Sequence, residues 1–213
     1  MKELIIVGAG SAAREYLQFV KDINKVTPPP YALNFKGFIA DYGVDMEACT
    51  NGEYKLLGTI SEWQPSENEV FVCSISNPIG KRKVVELLLS RGAEFINLIH
   101  PTAKIDDYVK YGKGIVLYPN ATIGVNAVVG DFVTVSGGIA HDCIVEDFVT
   151  LSGDATLSGH VSAGECAFFG AKSVVAPDVK IGKNAFVCIG SVVIRNVRDN
   201  TKVIGNPARS IDF

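Results

Sequence analysis

The sequence predicts two folds in series: an α/β domain on a small parallel sheet over residues 1–98, and an all-β parallel coil over residues 99–213. Three observations predict it. The chain opens as strand, glycine turn and helix in "ELIIVGAGSAAREYLQFVKDI". Two further apolar runs follow, "FKGFIAD" and "EVFVCSIS". From Ile105 onward an apolar residue returns every sixth place, a period that neither an α-helix nor simple strand alternation produces.

In the first part, residues 3 to 7 read as a buried parallel strand. Gly8 and Gly10 supply a turn, Ser11 is the expected N-cap, and Tyr16, Leu17 and Val20 recur at helical spacing. Strands are expected over 35–41, ending in Asp41, and over 69–76. A helix over 77–92 is opened by Asn77-Pro78 and closed by Gly92. The proline-rich stretch 24–34 reads as a stiff surface loop and 45–55 as an exposed polar one. Such a sheet takes ligands at the C-terminal ends of its strands.

The run Gly8-Ala9-Gly10-Ser11-Ala12-Ala13 is close to a phosphate-cradling glycine loop. Three clear strands fall short of the six or so of a full dinucleotide fold. Asp41 also lies 31 residues beyond Gly10, past the usual ~20 for a ribose contact. A half-size module for a mononucleotide or nucleotide-sugar fits better.

In the second part, nine consecutive sixes from Val145 carry an apolar first residue and Val, Ala or Ser in fifth place. This is a β-helix signature: the first residue points into a narrow core and the small fifth residue fits near a corner. Coils pair at about 4.8 Å, so none is stable alone. An upstream block from Ile105 shares the rhythm but not the register. Its continuation would put His141 in the core. The downstream register extends back to Ile139 instead, which leaves Val135-Ser136-Gly137-Gly138 as a four-residue unit. His141 then stands third in its six, at a corner and pointing outward.

Composition narrows the function. The chain is 47% hydrophobic and 20% charged, the mark of a globular protein. A formal net charge of -3 and the lack of a basic cluster argue against nucleic acid. The N-terminus reads as neither signal peptide nor membrane span. Five cysteines without a CxxC pair are expected to be buried, reduced thiols, which points to the cytoplasm.

These features together resemble a known family. "IIVGAGSAARE", "GFIAD", "LIHPTA" at 98–103, "HDC" at 141–143, the hexapeptides and "VIGNPAR" at 203–209 occur in the order found in hexapeptide-repeat sugar acetyltransferases. These are grouped with the sialic acid O-acetyltransferases and the nucleotide-amino-sugar N-acetyltransferases. The resemblance covers nearly the whole chain. It implies a Rossmann-like first domain that binds a nucleotide-sugar, a left-handed β-helix, a homotrimer, and acetyl-CoA as co-substrate.

An acetyl transfer needs a base for the nucleophile's proton and a donor for the oxyanion. The resemblance gives the first role to His141 with Asp142. Adjacency alone does not bring the two side chains together, since strand neighbours point to opposite faces. Gly159, eighteen residues after His141, is expected one coil above it, where the resemblance puts a thioester-contacting glycine. The resemblance also carries acetyl-CoA contacts to Thr150, often histidine in the family, and to Ala171. Gly8, Gly10, Ser11, Ala12, Asp41 and Asn77 are the substrate-binding candidates. His160 is expected at the rim and His100 packed at the domain junction. No metal is expected: a carbonic-anhydrase-like zinc site would have to use the scattered His100, His141 and His160.

An amine acceptor on a nucleotide-linked sugar is the leading expectation. Transfer to a sugar hydroxyl, as in sialic acid O-acetylation, is the alternative. A non-catalytic nucleotide-sugar-binding trimeric scaffold is the alternative of another class.

Overall fold

The computed structural model describes residues 2–42 and 45–211. It divides into two compact units, Met1–Ser76 with Gly80–Pro101, and Asn77–Ile79 with Thr102–Phe213.

The first unit is built on a parallel sheet. β1 (Glu3–Val7) is followed by α1 (Ser11–Val26), β2 (Asn34–Ile39), the one-turn helix α2 (Met46–Cys49), β3 (Leu56–Gly58) and β4 (Glu69–Cys73), and then by α3 (Pro78–Ser90). The order across the sheet is β3-β2-β1-β4. Leu4 to Val7 of β1 are fully buried, as central parallel strands require. Ala13, Tyr16, Leu17 and Val20 form the buried stripe of α1 at spacings of three and four. The helix ends before Pro28, whose ring disfavours helical geometry in the residue ahead of it. Its N-cap is Gly10, so Ser11 is the first helical residue and not the cap expected of it. The loop expected over 45–55 contains α2, and β3 is a strand the sequence did not signal.

The expectation of a Rossmann-like first domain is overturned. The described chain has two helices longer than one turn, α1 and α3, and most of it is a β-solenoid. Among the four strands only β1 to β2 is joined through a full crossover helix, and α3 leads from β4 to no further strand of the sheet, only to a single parallel bridge between Phe95 and Phe71. β2 to β3 has a single helical turn and β3 to β4 has none, so the repeated βαβ units of that fold are missing.

The second unit is a parallel β-solenoid, left-handed β-helix-like, with three faces of two-residue strands. Face I runs through Gly138–Ile139, Thr156–Leu157, Val174–Val175 and Val192–Val193. Face II runs through Val128–Val129, Ile144–Val145, Ser162–Ala163 and Lys180–Ile181. Face III runs through Val116–Leu117, Thr134–Val135, Thr150–Leu151, Phe168–Phe169 and Phe186–Val187. The first residues of the sixes fill the core: Ile139, Val145, Leu151, Leu157, Phe169 and Val175 are at most 1% exposed. Burial of such a side chain stabilises by about 1.5–3 kcal/mol, and the next coil supplies much of that burial. Tyr111, which the upstream rhythm assigned to the core, is 44% exposed.

Corners explain the fourth place of each six. Its residue takes a positive φ, as in Asn126 (61°), Asp142 (58°), Asp154 (56°) and His160 (60°). Asn and Asp, which tolerate the left-handed region, occupy many of these places.

The short unit at Val135–Gly138 shows in the pairing. Gly138 pairs forward with Thr156, eighteen residues on, but backward with Thr122, only sixteen away. Val128 with Ile144 and Thr134 with Thr150 are likewise sixteen apart. A second short unit was not foreseen. Ile181 bridges Val197 and Phe186 pairs Lys202, again sixteen apart, so Val193–Asn196 turns a corner in four residues.

Cys73, Cys143, Cys166 and Cys188 are buried free thiols as expected, whereas Cys49 is exposed. No helix among the described residues is long and apolar enough to cross a membrane.

Candidate active site

Candidate residues gather in two places, one in each unit. In the first unit a cavity of about 590 Å³ opens at the C-terminal ends of the parallel strands. Gly8, Gly10, Ser11, Ala12 and Asp41 line it, together with Ser74, Ser76 and Lys83. Gly8 has φ +102°, and a Cβ there would stand 2.6 Å from Ser74 Oγ, so glycine is required on both counts. The N-terminal turn of α1 lines the cavity and brings to it the positive end of the helix dipole, a setting for phosphate. Asp41 is exposed, and its Oδ1 accepts from Ser61 N–H at 2.8 Å. Asn77 is not among the lining residues. Sequence reasoning missed Ser74, Ser76 and Lys83. The serines follow a strand into the place where such sheets bind ligands, which was a usable signal; Lys83 lies inside a helix and gave none.

In the second unit His141 lies on the corner between faces I and II. Its Nδ1 is 2.8 Å from Asp142 Oδ2. The positive φ of Asp142 folds the backbone so that neighbouring side chains meet. Asn126 Nδ2 donates to Asp142 Oδ1 at 3.1 Å from the coil below. The hydrogen bonds from His141 and Asn126 hold the Asp142 carboxyl below the ordinary carboxylate range. An ionised carboxylate accepts from Nδ1–H, which leaves the lone pair on Nε2 and makes that nitrogen a base.

Gly159 lies against the imidazole. A Cβ on it would stand 2.5 Å from His141 Cε1 and 2.6 Å from Nε2. Any larger residue would push the ring aside. Gly159 is buried, and its N–H has no partner among the described residues, which fits it for receiving a developing oxyanion.

His160 completes the corner, with its ring edge-on to His141 at 5.2 Å and Nε2 4.0 Å from Asp142 Oδ2. Sequence reasoning placed it at the rim and did not see that the fourth-place backbone turns it back toward Asp142. The ligating atoms of His141, Asp142 and His160 lie within 4.8 Å of one another, a set able to take a metal ion. His100 is not one of this set. It packs in the first unit, edge-on to Phe19 at 5.5 Å and 3.5 Å from Asp22 Oδ2. Cys143, beside the dyad, is no competing nucleophile: its Sγ donates to Ser158 O at 3.1 Å and burial pushes the thiol pKa up.

Thr150 and Ala171 do not join this corner within one chain. Thr150 is a buried face III residue paired with Thr134 and Phe168. Ala171 follows the face III strand Phe168–Phe169 and stands on the corner between faces III and I.

No family model matches the chain. Over 214 residues it is 30% identical to GDP-perosamine N-acetyltransferase of Escherichia coli O157:H7, covering 97% of this chain and 95% of that protein. It is 35% identical to serine acetyltransferase 4 of Arabidopsis thaliana over 137 residues, 63% of this chain, and spans about a third (35%) of that relative's length. Its fold matches the acetyltransferase domain of PglB from Neisseria gonorrhoeae FA1090, solved in complex with acetyl coenzyme A. The TM-score is 0.85 at 23% identity over 99% of each chain. The near full-length relative and the solenoid corner agree: the chain belongs to the hexapeptide-repeat sugar acetyltransferases, enzymes that use acetyl-CoA.

Proposed function

We propose that the protein transfers the acetyl group of acetyl-CoA to the amino group of a nucleotide-linked amino sugar. The observation that carries this reading is the His141–Asp142 pair at 2.8 Å with Gly159 against the ring. His141 Nε2 takes a proton from the amine as its nitrogen attacks the thioester carbonyl. Gly159 N–H donates to the oxygen that gains charge. As the tetrahedral adduct collapses, the C–S bond breaks and the imidazolium returns its proton to the leaving thiolate. Asp142 keeps the tautomer and steadies the imidazolium. The name of the full-length relative, GDP-perosamine N-acetyltransferase, supports an amine acceptor on a nucleotide-sugar.

In this reading residues 1–98 hold the nucleotide-sugar, through Gly8, Gly10, Ser11, Ala12 and Asp41, with Ser74 and Lys83 added and Asn77 retained only as a neighbour. Residues 99–213 carry the transfer. Thr150 and Ala171 stand on other parts of the solenoid than His141, so in this reading a second copy brings their acetyl-CoA contacts to the His141 corner. The homotrimer that the family resemblance implies then has its active sites at subunit boundaries. Free thiols fit a reducing cytoplasm.

An acceptor screen with acetyl-CoA, following free thiol release, tests the proposal. Release with nucleotide-linked amino sugars and not with their hydroxyl counterparts is expected. Release with hydroxyl sugars alone would overturn the amine assignment, and failure to bind acetyl-CoA in calorimetry would leave only a scaffold.

A further inference from the structure

The corner that carries the proposed base holds more than a pair of side chains. His141 Nδ1 lies 2.8 Å from Asp142 Oδ2, and His160 Nε2 lies 4.0 Å from the same oxygen. The two imidazoles meet edge-on at 5.2 Å, and one ligating atom from each of the three residues falls within 4.8 Å of the others. The proposed transfer uses His141 and Asp142 and gives His160 no part.

The solenoid builds this arrangement. Asp142 and His160 are fourth-place residues with φ of 58° and 60°, one coil apart, so they stack in a single column on the corner. Backbone hydrogen bonds fix both coils: His160 N–H donates to His141 O at 3.1 Å, and Asp142 N–H to Val125 O at 3.0 Å. Only side-chain torsions are left to adjust around a ligand. The side chains of His141, Asp142 and His160 are 54%, 36% and 56% exposed, so a small ion reaches all three. Among the described residues no lysine or arginine pairs with Asp142, whose charge is therefore open to a cation.

The donor set selects the ion. Two imidazoles and one carboxylate suit zinc, cobalt or nickel, whereas magnesium and calcium take oxygen ligands. Ligand atoms held at about 2.0–2.2 Å from such an ion stand roughly 3.0–3.5 Å apart. The His141–Asp142 pair already meets that spacing, and His160 closes it by moving about 1 Å. An ion on His141 Nδ1 takes the nitrogen that donates to Asp142. The ring proton then passes through solvent to Nε2, the nitrogen that has to be unprotonated to act as base. The total number of protons is unchanged, but the lone pair that would accept the amine proton is gone.

We propose that His141, Asp142 and His160 form a binding site for Zn²⁺ or a like divalent transition-metal ion, and that the bound ion switches the transfer off by taking over the imidazole of His141. The site stands on the geometry of the corner. The switch rests on the proposed role of His141 as base.

Calorimetry with Zn²⁺ and the visible absorption of bound Co²⁺ test the site without any acceptor. Every protein carries Cys49→Ser, because that exposed thiol is a rival ligand. One ion per chain is expected, bound about tenfold or more weakly by His160→Gln and by Asp142→Asn. No binding, or equal affinity in both variants, overturns the site. Thiol release from acetyl-CoA is then followed with and without Zn²⁺ at ten times its dissociation constant, each reaction being stopped with chelator before the thiol is read. The wild-type rate is expected to fall about tenfold and to return when chelator is added first, while His160→Gln keeps its own metal-free rate within about twofold. Binding without inhibition overturns the switch. If no acceptor is acetylated, the proposed function has failed, and the calorimetric and spectral readings still decide the site.

Discussion

Two edges of the same solenoid are finished in opposite ways. On the edge between faces II and III, third-place N–H groups are closed by carboxylates from neighbouring coils. Asp131 Oδ1 accepts from Lys113 N–H at 2.9 Å, Asp147 from Asp131 N–H at 2.8 Å, and Asp199 from Lys183 N–H at 2.9 Å. On the edge between faces I and II, the equivalent N–H groups of His141, Gly159 and Arg195 have no partner among the described residues. Backbone geometry is shared, so the side chains decide. A carboxylate ladder satisfies one edge from within, and its absence leaves the other edge's donors, with an imidazole base, to an incoming molecule. A repeat fold can thus keep a stiff frame and still assign one edge to chemistry.

That contrast can be broken by mutation. The largest expected effect is His141→Ala, with kcat lower by about 10²–10⁴-fold, the range for loss of a general base. Gly159→Val comes next. Its φ is ordinary, so the backbone accepts valine, but the side chain must displace the imidazole; kcat should fall about 10²-fold with the thermal midpoint little changed.

Asp142→Asn should lower kcat about tenfold or more, through loss of the tautomer and of imidazolium stabilisation. Asp142 also sets a pH dependence. Its folded pKa is depressed by His141 and Asn126. Its stabilising contribution is therefore present above the unfolded value of about 3.9 and is lost as pH falls through the folded value. A titration of thermal midpoint should show wild type losing its advantage over Asp142→Asn only in that acid range, with the advantage intact from pH 5 to 7.

The smallest effect belongs to the closed edge. Asp147→Ala removes the acceptor for Asp131 N–H, so the thermal midpoint should drop by a few degrees (about 4 °C or less) while turnover stays near wild type. A large loss of turnover there would mean that the two edges are not functionally distinct.

The place of the base on its edge was legible in the sequence, for a physical reason, whereas the carboxylate ladder of the other edge was not read there. A narrow prism forces the first residue of every six into the core, so an imidazole at that place signals a slip, and the sixteen-residue pairings around Gly138 display it. The second slip was hidden because Val197 is apolar and small enough to suit either register. The contact of Asp142 with His141 was not legible either, since it depends on a positive φ that residue identity permits but does not demand. His160 was missed for the same reason. In the first unit the glycine turn was read correctly at Gly8, but the Rossmann-like label was too strong. Strand, glycine and helix open many parallel sheets, and the absent crossover helices lie in polar stretches without periodicity. β3 is three residues long, too short to show a pattern.

The most direct measurement is the rate of thiol release from acetyl-CoA in the presence of a nucleotide-linked amino sugar by His141→Ala beside Asp147→Ala, with CoA affinity taken by calorimetry on both proteins. The account predicts that both bind CoA within a few-fold of wild type, that Asp147→Ala turns over normally, and that His141→Ala retains about one hundredth of the rate or less. Turnover by His141→Ala close to that of wild type would contradict it.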